Sequence, residues 1–400
     1  MPTFEPRGNA RALTLATLAF TVSFYAWSML GPLGPDLQDA MGLSELQLAM
    51  MVAVPVLMGS LMRVPLGLLT DRHGGRAVFT VLMAFTLLPL AALALWHDSY
   101  PAVIAFGFFL GFAGASFAVG VPYVNQWYPR GRQGMALGLY GMGMGGTVVG
   151  ALTAPRIADR WGLTAPFVVA IVLVAVMALV FWLLARNAPV ARAAGGSMLA
   201  PLAVFRRQPR AWAPTFYYFL AFGGFVAMFA YLPKLLHGVH HLDKPDAAAR
   251  AAGFALVAVL ARPVGGWLAD RVGPDAVLRV SFGATAVIAA LLAPLYDSMV
   301  PLTILALSLA AAFGLGTGAV FKLVAHDFPD SVGAVTGVVG AAGGLGGFFP
   351  PLVMALVKSQ TGYYLLGFAL LAATGVAGLV LLHVMSRTAR PAMPGAVASA

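Results

Sequence analysis

Residues 261–273 read ARPVGGWLADRVG, and residues 63–74 read RVPLGLLTDRHG. Aligned at a constant offset of 199 (262 − 63), they pair Arg63 with Arg262, Gly67 with Gly266 and Leu69 with Leu268. Asp71 then meets Asp270, Arg72 meets Arg271 and Gly74 meets Gly273. The same offset carries GMALGLYGMGMGG, residues 134–146, onto GAVTGVVGAAGGL, residues 333–345. Gly134, Gly138, Gly141 and Gly145 fall on Gly333, Gly337, Gly340 and Gly344. The chain is therefore a structural duplication, and each copy sets an arginine inside a run that otherwise reads as membrane helix.

The surrounding composition fixes the solvent. At 60% hydrophobic and 10% charged residues, with a mean hydropathy of +0.87, the chain is far too apolar for a water-soluble globule, which carries about a quarter charged residues. With no cysteine in 400 residues, disulfides, thiol nucleophiles and thiolate metal sites are excluded. The basic balance is better explained by membrane topology than by nucleic acid. No metalloprotease, nucleophile-elbow or P-loop pattern occurs, so the sequence shows no enzyme chemistry, and neither a cofactor nor a metal is expected. His237, His240 and His241 crowd one loop and read as a solvated turn.

Apolar segments long enough to cross about 30 Å of hydrocarbon recur at 12–35, 45–70, 76–96, 101–126, 133–157, 164–186, 211–236, 248–269, 276–296, 300–325, 332–357 and 362–386. These predict an all-α membrane protein of twelve transmembrane helices in two pseudo-symmetric six-helix bundles, residues 1–186 and 211–400. The Gly-, Pro- and Arg-rich stretch 187–210 reads as a cytoplasmic linker. With the N-terminus inside, most arginines fall in cytoplasmic segments, so both termini are expected in the cytoplasm. Arg63, Arg262 and Lys322 remain inside predicted spans.

An arginine at the centre of a membrane helix costs about 2.5–3.5 kcal/mol on insertion scales unless it is partnered or hydrated. All 14 acidic residues fall in loops or at predicted helix ends. Eight residues separate each arginine from the aspartate of its following loop, about 12 Å of helix, which places it near the midplane. Repeat-related groups at mid-depth lie where a transporter's substrate binds. An imported anion is thus the simplest counter-charge; the competing reading is that each arginine snorkels or donates to helix carbonyls. The planar guanidinium fork suits a planar oxyanion, although phosphate or a dicarboxylate also fits the charge.

The G-x-x-x-D-R-x-G loop and its echo on a 6+6 plan resemble the major facilitator superfamily. Within it, FAGASFAVGVPYVNQWYP with the Gly-rich segment after it, and GTGAVFKLVAHDFP followed by GAVTGVVGAAGGLGGFFPP, resemble the nitrate/nitrite porter family. This resemblance covers essentially the whole chain. It implies a bacterial inner-membrane transporter that imports nitrate, and possibly nitrite, by alternating access; nitrate/nitrite antiport and nitrite export are its rivals. A non-transporting anion sensor is a rival of another class. The resemblance further implies that Phe117, Tyr218 and Phe222 line the anion site beside Arg63 and Arg262, with Gly145 and Gly344 in contact. Met144 stands where the family often has Asn. Asp71, Arg72, Asp270 and Arg271 look like conformational latches.

Bringing a monovalent anion into an inside-negative cell costs about 2.3 kcal/mol per 100 mV, so uptake needs cotransported cations or exchange. No acid lies in a predicted span, which leaves Lys322 as the titratable group there, and the corresponding lysine is typical of the symporter-like branch of the family. Lys322 is therefore expected to carry the coupling proton; a lysine snorkelling from a helix end is the alternative. The expected partners are nitrate or nitrite, protons and the lipid bilayer, with no nucleic acid, and the chain is expected to work as a monomer.

Overall fold

The computed structural model describes residues 6–189, 199–361 and 365–388. The chain ends expected in the cytoplasm, residues 1–5 and 389–400, lie outside the described residues, as do 190–198 of the expected linker and 362–364 at the start of the last expected segment. Regular structure among the described residues is all helical: α1 (Ala10–Trp27), α2 (Gly34–Met41), α3 (Glu45–His73), α4 (Gly75–Trp96), α5 (Tyr100–Leu110), α6 (Ser116–Asn125), α7 (Gln133–Gly141), α8 (Gly146–Trp161), α9 (Thr164–Leu184), α10 (Val204–Arg207), α11 (Trp212–His240), α12 (Lys244–Val272), α13 (Pro274–Leu295), α14 (Met299–Asp327), α15 (Val332–Thr361) and α16 (Leu365–Thr388). Ten candidate spans among the described residues are long and apolar enough to cross a membrane.

Local chemistry sets the helix ends. Ser44 and Gln47 form a reciprocal capping box at the start of α3, and Asn9 and Asp243 each accept a backbone N–H from the first turn of α1 and α12. The repeated DRxG loops end on Gly74 (φ 82°) and Gly273 (φ 87°), where α3 turns into α4 and α12 into α13. Only glycine takes that backbone conformation without strain, which explains why both copies carry it.

The structure departs from the expected segments at three places. The first expected span, 12–35, ends as helix at Trp27 and restarts as α2, because Gly31, Pro32 and Pro35 interrupt it. The expected spans 101–126 and 133–157 each contain a 3-10 turn, Gly111–Ala115 (GFAGA) and Met142–Gly145 (MGMG). Runs of glycine and alanine let the backbone tighten there, and a tightened mid-helix turn is a frequent mark of function.

Outward faces are apolar in regular stripes. Val81, Leu88 and Leu95 on α4 are exposed, as are Val172, Val176, Leu179 and Leu183 on α9 and Val280 and Val287 on α13. Such spacing presents one helix face, and a continuous surface of this kind suits lipid rather than water.

Glycine strips govern the inner packing. Helix α7 crosses α12, and α15 crosses α3. A Cβ on Gly138 would stand 2.7 Å from the Arg262 carbonyl, and a Cβ on Gly337 would stand 2.7 Å from the Arg63 carbonyl. Gly134 and Gly266 likewise face each other backbone to backbone. These contacts are small-residue packing of the kind that holds membrane helices together without a hydrophobic driving force. Gly266→Ala should lower thermal stability in detergent by about 1–3 kcal/mol through overpacking. Gly283→Ala, on an open face of α13 with no neighbour within 4 Å of its Cβ position, should be neutral or stabilising by up to about 1 kcal/mol. Equal melting shifts for the two would count against backbone contact as the reason for glycine.

Candidate functional site

Arg63 on α3 and Arg262 on α12 are 3% and 2% exposed. Arg63 donates from Nε to the Gly114 carbonyl at 3.4 Å and from Nη1 to the Gly340 carbonyl. Arg262 donates from Nη1 to the Gly141 carbonyl at 3.3 Å and to the Met144 sulfur at 3.4 Å, and from Nη2 to the Tyr218 hydroxyl oxygen at 3.1 Å. Gly141 and Gly340 are themselves repeat mates, so each arginine takes a carbonyl from the equivalent glycine of the opposite half. The 3-10 turns supply two more partners, since Gly114 and Met144 both lie in them, and Tyr218 comes from α11. Tight turns free carbonyls from the regular ladder, and glycine lets a guanidinium come close.

No carboxylate neutralises the pair. Among the described residues the ion pairs are Arg250–Asp246, Lys322–Asp270 and His326–Asp327, none of which involves Arg63 or Arg262. The carbonyl partners anticipated by the competing reading are present, yet they supply dipoles and not charge. Each fork has five N–H donors, and these contacts leave several unused. The site is a buried cluster of net positive charge.

Aromatic rings wall it. Phe117 on α6 and Tyr218 on α11 are parallel to within 4°, with centroids 6.4 Å apart. Tyr218 stacks on Phe222 at 5.1 Å, and the Arg262 guanidinium carbon lies 5.7 Å from the Phe117 centroid. Two residues outside the expected set complete the wall. Phe321 sets its ring edge-on to both Phe117 (4.6 Å) and Tyr218 (4.7 Å), closing one side of the slot. Tyr140 stacks behind Phe117 at 5.7 Å. Among 26 Phe and 11 Tyr, neither stood out by type; for Phe321 the available signal was its place immediately before Lys322.

The two expected glycines part company. The Cβ position of Gly344 lies 3.5 Å from Arg63 Nη1, beside Ser60, whereas that of Gly145 has only Val259 near it, at 3.8 Å. The glycine that touches Arg262 is Gly141, whose Cβ position is 3.2 Å from Nε.

Beyond the site, each repeated aspartate caps a helix of the other half. Asp71 accepts from the N–H groups of Gly333 (3.2 Å) and Ala334 (3.1 Å) at the start of α15. Asp270 accepts from those of Gly134 (2.9 Å) and Met135 (2.8 Å) at the start of α7. A carboxylate at a helix N-terminus gains from both the free N–H groups and the helix dipole. Lys322 is not a snorkelling lysine: it is buried, 2.8 Å from Asp270 Oδ1, and donates to the Arg130 carbonyl as well. The arginines of the repeated loop do not share in the capping. Arg72 is exposed, and Arg271 stacks on Trp267 of its own helix at 4.0 Å. Helix α7 packs along α12, while its continuation α8 touches α12 far less; this crossing is tight at the latch end and loosens toward the other.

Comparison with known proteins gives these features a context. A family model described as Major Facilitator Superfamily matches residues 16–351. The chain is 43% identical over 376 residues to a Mycobacterium tuberculosis protein named probable nitrate/nitrite transporter NarK2, covering 92% of this chain and 95% of that one. It is 36% identical to a Bacillus subtilis protein named nitrite extrusion protein, covering 92% and 93%. Among solved structures it is similar in fold to the human organic anion transporter MFSD10, with a TM-score of 0.78 at 18% identity, covering 93% and 99%.

The latch invites a double-mutant test. Asp270→Asn strands the buried Lys322 charge and should destabilise the protein by about 3–5 kcal/mol, while Asp270→Asn combined with Lys322→Met should recover most of that loss. Additive melting shifts in detergent would show that the two side chains do not act as a pair.

Proposed function

This chain belongs to the nitrate/nitrite porter family of the major facilitator superfamily, a family of multi-pass membrane transporters and not of enzymes, and we propose that it imports nitrate, with nitrite as a second substrate, by alternating access around Arg63 and Arg262. The observation that carries this reading is the pair of buried guanidinium groups with no carboxylate partner among the described residues, Arg262 of the pair set against the parallel Phe117 and Tyr218 rings. A planar monovalent oxyanion matches the unused donors of both forks, and the ring faces match its flat shape. In this reading Phe117, Tyr218 and Phe222 exclude water and so strengthen the arginine contacts, and Gly344 lets the anion approach Arg63. Gly145 is the weakest member of the set, since Val259 stands between it and that role.

Twelve spans in two six-helix bundles, 1–186 and 211–400, joined through 187–210, with both termini in the cytoplasm of a bacterial cell, complete the proposal. The latch end then faces the cytoplasm, and the Asp71 and Asp270 contacts hold the inner gate closed. An anion reaching the clamp from outside offsets two like charges, which lets the halves draw together around it and the inner contacts part. The coupling proton resides on Lys322. Its loss weakens the charge-assisted hydrogen bond from Lys322 to the Arg130 carbonyl, the contact by which α14 reaches the first half; its return restores that tie. Nitrate/nitrite antiport or nitrite export is the second reading, export being favoured by the name of the Bacillus subtilis relative.

Proteoliposomes separate these readings. Symport predicts nitrate accumulation driven by a pH gradient, antiport predicts accumulation only with internal nitrite, and an anion sensor gives no counterflow at all. Arg63→Lys or Arg262→Lys retains charge but loses the fork, and each should weaken nitrate binding at least about tenfold, the worth of one charge-assisted hydrogen bond; near-normal binding in either rejects the clamp. Lys322→Met should abolish nitrate-driven acid movement while leaving exchange measurable, and unchanged acid movement rules out Lys322 as the carrier.

A further inference from the structure

Tyr140 is fully buried on α7. Its hydroxyl donates to the Ser116 carbonyl at 2.9 Å and approaches the Phe117 carbonyl at 3.4 Å, both in the first turn of α6. Its ring stacks against both Phe20 of α1 (5.0 Å, 26°) and Phe117 (5.7 Å, 23°), which lie 5.4 Å from each other. Gly120, one turn along α6, makes the room, because any Cβ there would overlap the Tyr140 ring. The next residue is Gly141, whose carbonyl holds Arg262 Nη1.

One side chain thus joins the aromatic wall to the arginine clamp. The hydroxyl fixes the backbone from which Phe117 projects, the ring stacks against Phe117, and the main chain delivers the carbonyl that orients Arg262. The duplication provides no counterpart: the repeat mate of Tyr140 is Val339, which precedes the Gly340 that holds Arg63 and carries no hydroxyl. The side of the site built from α6, α7 and α12 is therefore braced by a polar tie that the Arg63 side lacks.

We propose that Tyr140 is a positioning residue for anion recognition, holding Phe117 parallel to Tyr218 and Arg262 toward the slot between them. This rests on the nitrate reading above. It acts on affinity, because the spacing of the slot decides how well a planar ion fits, and not on the rate of the gate, whose latches lie at Asp71 and Asp270.

The test compares Tyr140→Phe, which removes only the oxygen, with Tyr140→Leu, which removes the ring, in saturable nitrate uptake by proteoliposomes. Tyr140→Phe should raise the half-saturating nitrate concentration at least fivefold while the maximal rate stays within twofold of wild type. Tyr140→Leu should raise it further, and Tyr140→Phe should add little to Phe117→Leu, since both act through one ring. Half-saturation in Tyr140→Phe at the wild-type value, a fall in maximal rate alone, or full additivity with Phe117→Leu overturns the inference. Wild-type protein without saturable nitrate uptake overturns the nitrate reading itself and this inference with it, so the two failures are told apart by the wild-type trace.

Discussion

Two guanidinium ions buried in a low-dielectric interior without a carboxylate between them are the constraint around which this molecule is arranged. Cations so placed need dipoles, and helix carbonyls are otherwise committed to their own ladders. The chain meets the need by bringing foreign helices very close and by loosening two of them. Glycines at 138 and 337 let α7 and α15 press on the backbone of the arginine-bearing helices themselves. The 3-10 turns at 111–115 and 142–145 then turn carbonyl and thioether groups toward the guanidinium forks. The glycine strips, the helix breaks and the arginines are parts of one solution.

That solution is duplicated, yet not evenly. Arg63 with Gly340 and Arg262 with Gly141 obey the 199-residue offset, as do Asp71 with Gly333 and Asp270 with Gly134. The additions are local. Tyr218 and Met144 attach to Arg262 only, and Lys322 attaches to Asp270 only. Both 3-10 turns fall in the first copy, whereas α14 and α15 run on as α-helix through the corresponding stretches of the second. A duplicated frame supplies the paired charge, and the unpaired additions give the two sides different chemistry.

Much of this was legible in the sequence because it was carried by repetition and by charge. The arginines, their lack of acidic partners, the glycine strips and the looped aspartates all follow from residue type at a fixed offset. Phe117, Tyr218 and Phe222 came through family resemblance, and the structure does bring them together. Phe321 and Tyr140 were hidden because an apolar aromatic in a membrane helix looks the same whether it faces lipid, core or ligand; only three-dimensional neighbours distinguish them. Arg72 and Arg271 were read into the latch by their motif, but a long cation at a helix end finds solvent or a nearby indole more cheaply than a second helix dipole. Lys322 was legible as a buried titratable group and not as the partner of Asp270, since 52 residues (322 − 270) separate them and no periodicity connects α14 to the end of α12.

The uneven latches bear on how such a protein could be driven. Parting Asp71 from α15 exchanges two backbone N–H contacts for water, and each such charge-assisted bond is worth about 1.5–3 kcal/mol at most. Parting Asp270 from α7 likewise gives up two N–H contacts but leaves the Lys322–Asp270 pair intact, since α12 and α14 belong to the same half; what parts besides is the Lys322 bond to the Arg130 carbonyl. Neutralising one partner of the pair leaves the other charge buried and uncompensated, at a cost of about 3–5 kcal/mol. A single proton at this pair therefore has more leverage on the closed state than the same proton anywhere along the Asp71 contact. The arginines, the glycines and the capping aspartates are what the two halves share; the Lys322–Asp270 pair, present on one side, is what sets them apart.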